Sequence, residues 1–259
     1  MHGRGAAGAT LDGMQLWAFL DDLDPAAFRQ QKPEQVRADS RVPVLILQSE
    51  TDVVALGGAR ARRDDGDNIR LWEIAGAAHA DTYLLVAAGE DSGALSGAEL
   101  AALLARTTLP PPLGGETPVN SAPQHHYVGE AALRALERWL ADGVAPPQAP
   151  LLELTTDGAL ATDELGIGRG GIRSPWVDAP VNLLSGLGPA GEGFAFLHGA
   201  THPFDPATLA RLYPQGEAQW LVRFRASLDA SVARGFILED DRDEIEAIGA
   251  ASWPEGSAL

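Results

Sequence analysis

Val42-Pro-Val-Leu-Ile-Leu-Gln-Ser-Glu-Thr-Asp52 and, after residues 53–68, Ile69-Arg-Leu-Trp-Glu-Ile-Ala-Gly-Ala-Ala-His-Ala-Asp81 decide how this chain reads. The run from Val42 to Leu47 is short, continuous and rich in branched residues, the pattern of a parallel strand covered on both faces. Polar Gln48 to Asp52 follow at its C-terminal end. Ile69 to Ile74 reads as a second strand, closing at Ala75-Gly76. The Gly/Arg/Asp-rich segment 53–68 is short but sufficient for a crossover, so a βαβ unit of an α/β fold is expected. In open sheets of this class the groups that do chemistry sit just beyond the carboxyl ends of strands, and Asp52 and His79 each occupy such a position. Adjacent strands lie about 4.8 Å apart, so the two loops can bring a carboxylate to an imidazole, fix its tautomer and stabilise its cation. Either residue taken singly is more often a cap or turn residue. Their order, with a crossover between, favours chemistry. Glu50 is the rival acid.

Outward from this core, residues 1–40 open as a Gly/Ala-rich loop and turn helical, with Leu16, Trp17, Phe19, Leu20 and Leu23 on one face. Residues 84–123 read as an insertion holding a helix from Ser96 to Arg106 and the loop Leu109-Pro-Pro-Pro-Leu-Gly-Gly. Gly129 to Ala141 reads as an amphipathic helix with Ala132, Leu133, Leu136, Trp139 and Leu140 on its apolar side. Asp142-Gly143 and Ala145-Pro-Pro stop it. Pro146 to Pro150 is the best internal boundary. It divides a core portion, 1–145, from a loop-rich covering segment with C-terminal helices, 146–259, packed on the same domain. The glycines of 151–203 fit neither a Walker loop nor a dinucleotide turn. Helices are expected over Leu209–Tyr213, Ala218–Arg234 and Asp240–Ala251.

With 259 residues, 45% of them hydrophobic, the chain has material for a packed core. Its net charge of -17 opposes nucleic acid and anionic lipid surfaces, and neither is expected as a partner. The absence of cysteine excludes disulfides, thiolate nucleophiles and Cys-based metal centres. His198-Gly-Ala-Thr-His202 spaces two histidines four apart, but Gly199 and Pro203 argue against the helix such a zinc motif needs. No metal and no cofactor are expected. No run approaches the roughly 18 apolar residues that span a bilayer, and the compartment stays open.

Five segments in order carry a resemblance: Val44 to Val53, Arg70 to Tyr83, Ser121-Ala-Pro-Gln-His125, Gly171-Ile-Arg-Ser-Pro-Trp-Val-Asp178, and Pro203 to Tyr213. Over nearly its whole length the chain resembles a largely bacterial family of alpha/beta hydrolase domain proteins. The resemblance implies the C-terminal part of an α/β-hydrolase fold, its last parallel strands followed by loop-rich insertions and a helical C-terminus. It also implies serine-hydrolase ancestry, with an ester-cleaving activity and Asp52 and His79 as acid and base. His125, in the pair His125-His126, is the alternative base, and a pair capping the next helix is the bland account of it. Trp176, Phe194 and Phe196 are candidate substrate walls or ordinary core.

Hydrolases of this fold carry the nucleophile on a Gly-x-Ser-x-Gly elbow upstream of the acid, and only 51 residues precede Asp52, none forming one. Ser92 and Ser185 lie after the acid with the wrong spacing. The nucleophile is therefore expected to be absent and the chain to be a fragment, inactive as given, or else half of a site completed by a nucleophile-bearing partner. In the resembling family a valine commonly precedes His-Gly-Arg-Gly, where this chain has Met1. A small-molecule ester is the expected substrate of the full-length protein, and the truncated chain is expected to self-associate. The alternative is a non-catalytic pseudo-enzyme or binding domain on the same fold.

Overall fold

The computed structural model describes residues 35–105, 107–111, 113–189 and 193–254. The helix read within residues 1–40 falls largely outside these, as does Arg106 at the end of the helix read from Ser96.

Strand β1 (Val44–Ser49) pairs in parallel with β2 (Ile69–Ile74), in register from Val44 opposite Ile69 to Ser49 opposite Ile74. The crossover differs from a standard βαβ unit. A single π-type turn over Thr51–Ala55 and a 3-10 turn over Gly58–Ala61 replace the α-helix. Gly57, at φ 79°, takes the left-handed conformation between them and interrupts any continuous helix. The far side of β2 meets a covering loop: Ile172 N donates to Glu73 O at 2.6 Å and Ala75 N to Ile172 O at 3.0 Å. That loop is folded on itself by narrow antiparallel bridges, Leu152 with Gly170, Leu154 with Leu160 and Thr162 with Gly168.

Glu73 is a charged residue in the middle of an apolar strand, and it is fully buried. Its carboxylate accepts a two-pronged guanidinium contact from Arg62, 2.7 Å at each oxygen, and Leu152 N at 2.8 Å. The crossover and the covering loop are thereby fastened to β2 through one side chain, as a buried charge requires.

The short helix α1 (Thr82–Leu85) is capped by Asp81, and α2 (Gly97–Leu103) is closed by a capping box of Ser96 with Glu99. Helix α3 (Gln124–Asp142) lies across the β1–β2 sheet. Its buried face differs from the periodicity. Val128, Ala131, Ala132 and Trp139 face inward, whereas Leu133 and Leu140 are 71% and 61% exposed. The two alanines let the helix sit close against Trp72, Ile74 and Ala77, and Trp139 lies under the Arg70 guanidinium at 5.3 Å. Close approach of small side chains, rather than the largest hydrophobic residues, sets the rotation of this helix.

Helix α4 (Pro175–Asp178) precedes an antiparallel pair, β3 (Asn182–Ser185) with β4 (Ala200–Pro203). Helices α5 (Pro206–Leu212), α6 (Glu217–Ala233) and α7 (Arg242–Ala250) complete the described chain. Leu100 of α2, Trp220, Phe224 and Leu228 of α6, and Ile245 and Ile248 of α7 form the largest apolar cluster. Helices α2 and α7 cross so closely that a Cβ on Gly97 would lie 2.3 Å from the Ala247 Cβ. The insertion 84–123 is therefore built into the core, and the apolar clusters draw on residues from both sides of 146–150.

Candidate active site

Beyond the C-terminal end of β1 the chain turns sharply through Glu50, Thr51 and Asp52, all three side chains buried. Beyond β2 it runs through Ala75-Gly-Ala-Ala-His79. Because the strands are parallel and in register, both turns emerge at the same edge of the sheet. Asp52 Oδ1 lies 2.7 Å from His79 Nδ1. The other oxygen, Oδ2, accepts from Ser49 N at 2.8 Å and from Ser49 Oγ at 2.7 Å. Burial alone would raise the Asp52 carboxyl, but the bonds from His79 and Ser49 outweigh it and hold it below its ordinary value. The same bond raises His79 above 6.5, against partial burial. Asp52 is 3% exposed, whereas the His79 side chain is 46% exposed. With Nδ1 committed to the carboxylate, Nε2 has no hydrogen-bond partner among the described residues.

The loop that carries His79 is held at both ends. Glu50 Oε1 accepts Gly76 N at 2.6 Å and Oε2 accepts Gly186 N at 2.7 Å, while Glu50 N donates to Ala77 O at 3.1 Å. Gly76 sits at φ 69°, and a Cβ there would lie 2.5 Å from Val177 Cγ1. Asn120 Nδ2 donates to Gly76 O at 2.8 Å and to Ser185 O at 2.9 Å. At the other end His79 N donates to Thr51 Oγ1 at 3.0 Å, and that hydroxyl donates to Gly186 O.

The candidate residues separate clearly by position. Asp52 and His79 are brought into contact. Glu50 makes no hydrogen bond to the imidazole; both its oxygens are engaged by backbone amides, and burial pushes its carboxyl up to about 7. His125 lies in the first turn of α3 and donates from Nδ1 to Ala78 O at 3.0 Å, which leaves Nε2 as an acceptor. Burial lowers its pKa below the ordinary 6.5. His126 stacks on Tyr83 at 3.9 Å. Ser185 Oγ is occupied in a local turn with Leu187, and Ser92 lies in an exposed loop. Phe196 is buried against Leu56, while Trp176 stacks parallel to Tyr127 at 6.0 Å.

Sequence reasoning missed Thr51 and Asn120. Their bonds to Gly186 and Ser185 cross 135 and 65 positions of chain, and no local pattern marks them. His198, which the sequence marked only through its four-residue spacing from His202, is buried, and its pKa is lowered by that burial and by the nearby His79. Among the described residues no group of three or more His, Asp or Glu could hold a metal ion.

The geometry provides a proton acceptor oriented by a buried carboxylate at the edge of a parallel sheet. Neither a curated protein nor a solved structure matches the chain. The family described as alpha/beta hydrolase domain matches residues 2–247, nearly the entire length, and the chain belongs to that family.

Proposed function

We propose that this chain supplies the acid and base of a carboxylic-ester hydrolase, with His79 as general base and Asp52 as the acid that orients it. The observation that carries this reading is the 2.7 Å contact between Asp52 and His79 Nδ1, with Nε2 uncommitted on a half-exposed ring. Nε2 would take the proton of a serine hydroxyl as its oxygen attacks the ester carbonyl, and the imidazolium formed would be stabilised by Asp52. The proton would then pass to the departing alkoxide. No Gly-x-Ser-x-Gly elbow occurs in the sequence, and a serine from outside this chain would be the nucleophile. The substrate is a small ester. The charge of -17 speaks against nucleic acid and anionic membrane surfaces as partners.

A second reading, a binding domain without turnover, is favoured by the lack of any described hydroxyl on Nε2. Imidazole NMR tests the pair directly. The ring proton is expected on Nδ1 with a midpoint above 6.5, and Asp52→Asn should bring that midpoint down. A ring proton on Nε2 with an ordinary midpoint would overturn the assignment. The purified chain is expected to leave nitrophenyl acetate at the background rate, because no Gly-x-Ser-x-Gly elbow presents a nucleophile to His79. If the same-frame DNA upstream of Met1 encodes a serine elbow, the longer product should show turnover that His79→Ala abolishes. Turnover that survives His79→Ala would sink the role given to that residue.

A further inference from the structure

A cavity of about 450 Å³ lies on the helical side of the molecule, enclosed by α2, α4, α6, α7 and the β3–β4 pair. Its size falls within the roughly 300–1,000 Å³ typical of small-molecule sites. Among the described residues the lining contains no charged side chain and no histidine, although 21% of the chain is charged. Trp220 and Phe224 form a deep wall, each 1% exposed, and Ala105 and Ala251 form an exposed rim.

The polar groups of the lining fall into two kinds. Trp220 Nε1 donates to Ala179 O at 2.8 Å and Thr201 Oγ1 to Val119 O at 2.8 Å, so both are satisfied within the protein. Trp176 and Asn182 also line the cavity, and their indole N–H and carboxamide have no hydrogen-bond partner among the described residues. An indole N–H is only a donor, and an amide supplies donors beside one acceptor. The wall thus combines a broad aromatic surface with uncommitted donors and no counter-charge.

From this we infer that the cavity is a binding site for an uncharged, mainly apolar molecule bearing one oxygen acceptor, such as a medium-chain alcohol or ester. A carboxylate of the same length would leave its charge desolvated without a cation, and an ammonium would find no anion. The inference stands apart from the His79–Asp52 reading, since none of its residues belongs to that pair.

The test uses the whole chain with 1-octanol as probe and octanoate at pH 8 as its charged counterpart, followed by tryptophan emission and calorimetry. Saturable binding of 1-octanol at least tenfold tighter than octanoate is expected, with a rise in Tm. Ala101→Phe, which fills the space from α2, should abolish binding while circular dichroism stays native. Ala105→Phe at the exposed rim serves if the first variant fails to fold. Asn182→Leu should weaken 1-octanol several-fold while leaving the fold intact. Octanoate binding as tightly as the alcohol, 1-octanol binding undiminished in a folded cavity-filled variant, or no saturable binding at all would each overturn the inference.

Discussion

Glu50 and Asp52 carry the same functional group two positions apart, yet their surroundings drive them in opposite directions. Asp52 is held below its ordinary value although burial opposes this, because it shares a proton-bearing partner, His79. Glu50 meets only backbone amides, and burial dominates, moving it to about 7. Its folded pKa therefore lies above its unfolded value near 4.5, so the folded state binds the extra proton and stability falls as pH rises between these two values. Glu50→Gln removes that dependence but sets an amide against one of two backbone donors. It should cost about 1–3 kcal/mol in acid, and the gap to wild type should narrow as pH rises through 7. Urea unfolding at pH 5 and pH 8 measures this, and a gap that stays the same at both would show Glu50 to be ionised throughout. His79 has the same sign. Its folded pKa is raised above 6.5, so its stabilising contribution is complete below 6.5 and is lost as pH climbs through the folded value. The meeting of Asp52 and His79 was legible because both follow the ends of in-register strands. The task of Glu50 was not, because its second amide partner stands 136 positions away.

At the level of elements, β1 and β2 were legible from continuous branched runs, and α6 and α7 from helical period. The rotation of α3 was not. Hydrophobicity ranks Leu133 above Ala132, whereas packing against the sheet rewards the smaller residue. Leu133→Ala should accordingly change stability by less than about 0.5 kcal/mol, while Ala132→Leu should cost about 1–3 kcal/mol through overpacking. Equal effects in chemical denaturation would mean that the helix faces the other way. Glu73 is similarly invisible to a period-two pattern, since its position in β2 asks for an apolar residue. Glu73→Ala leaves Arg62 and Leu152 N without their acceptor and should cost about 3–5 kcal/mol.

For the whole molecule, charge and apolar surface oppose each other. Leu45 and Leu47 of β1 line a groove of about 650 Å³ with Leu84, Leu133 and Leu136, where Leu84 is 59% exposed. We propose that the chain self-associates there, held back by its charge of -17. Sedimentation should show a larger species at 0.5 M salt than at 0.02 M, as screening shortens the reach of the repulsion from about 20 Å to about 4 Å. A monomer at both would count against it. The long ties to the His79 loop have a consequence in time. Asp52 and His79 are close in the chain, but Asn120, Ser185 and Gly186 must be present before their loop is fixed. At roughly 5–20 residues per second of synthesis, the ribosome exposes the pair seconds before it exposes the clamps. On refolding, the Nδ1 proton signal of His79 should therefore appear with the last phase of structure formation and lag behind the burial of Trp72.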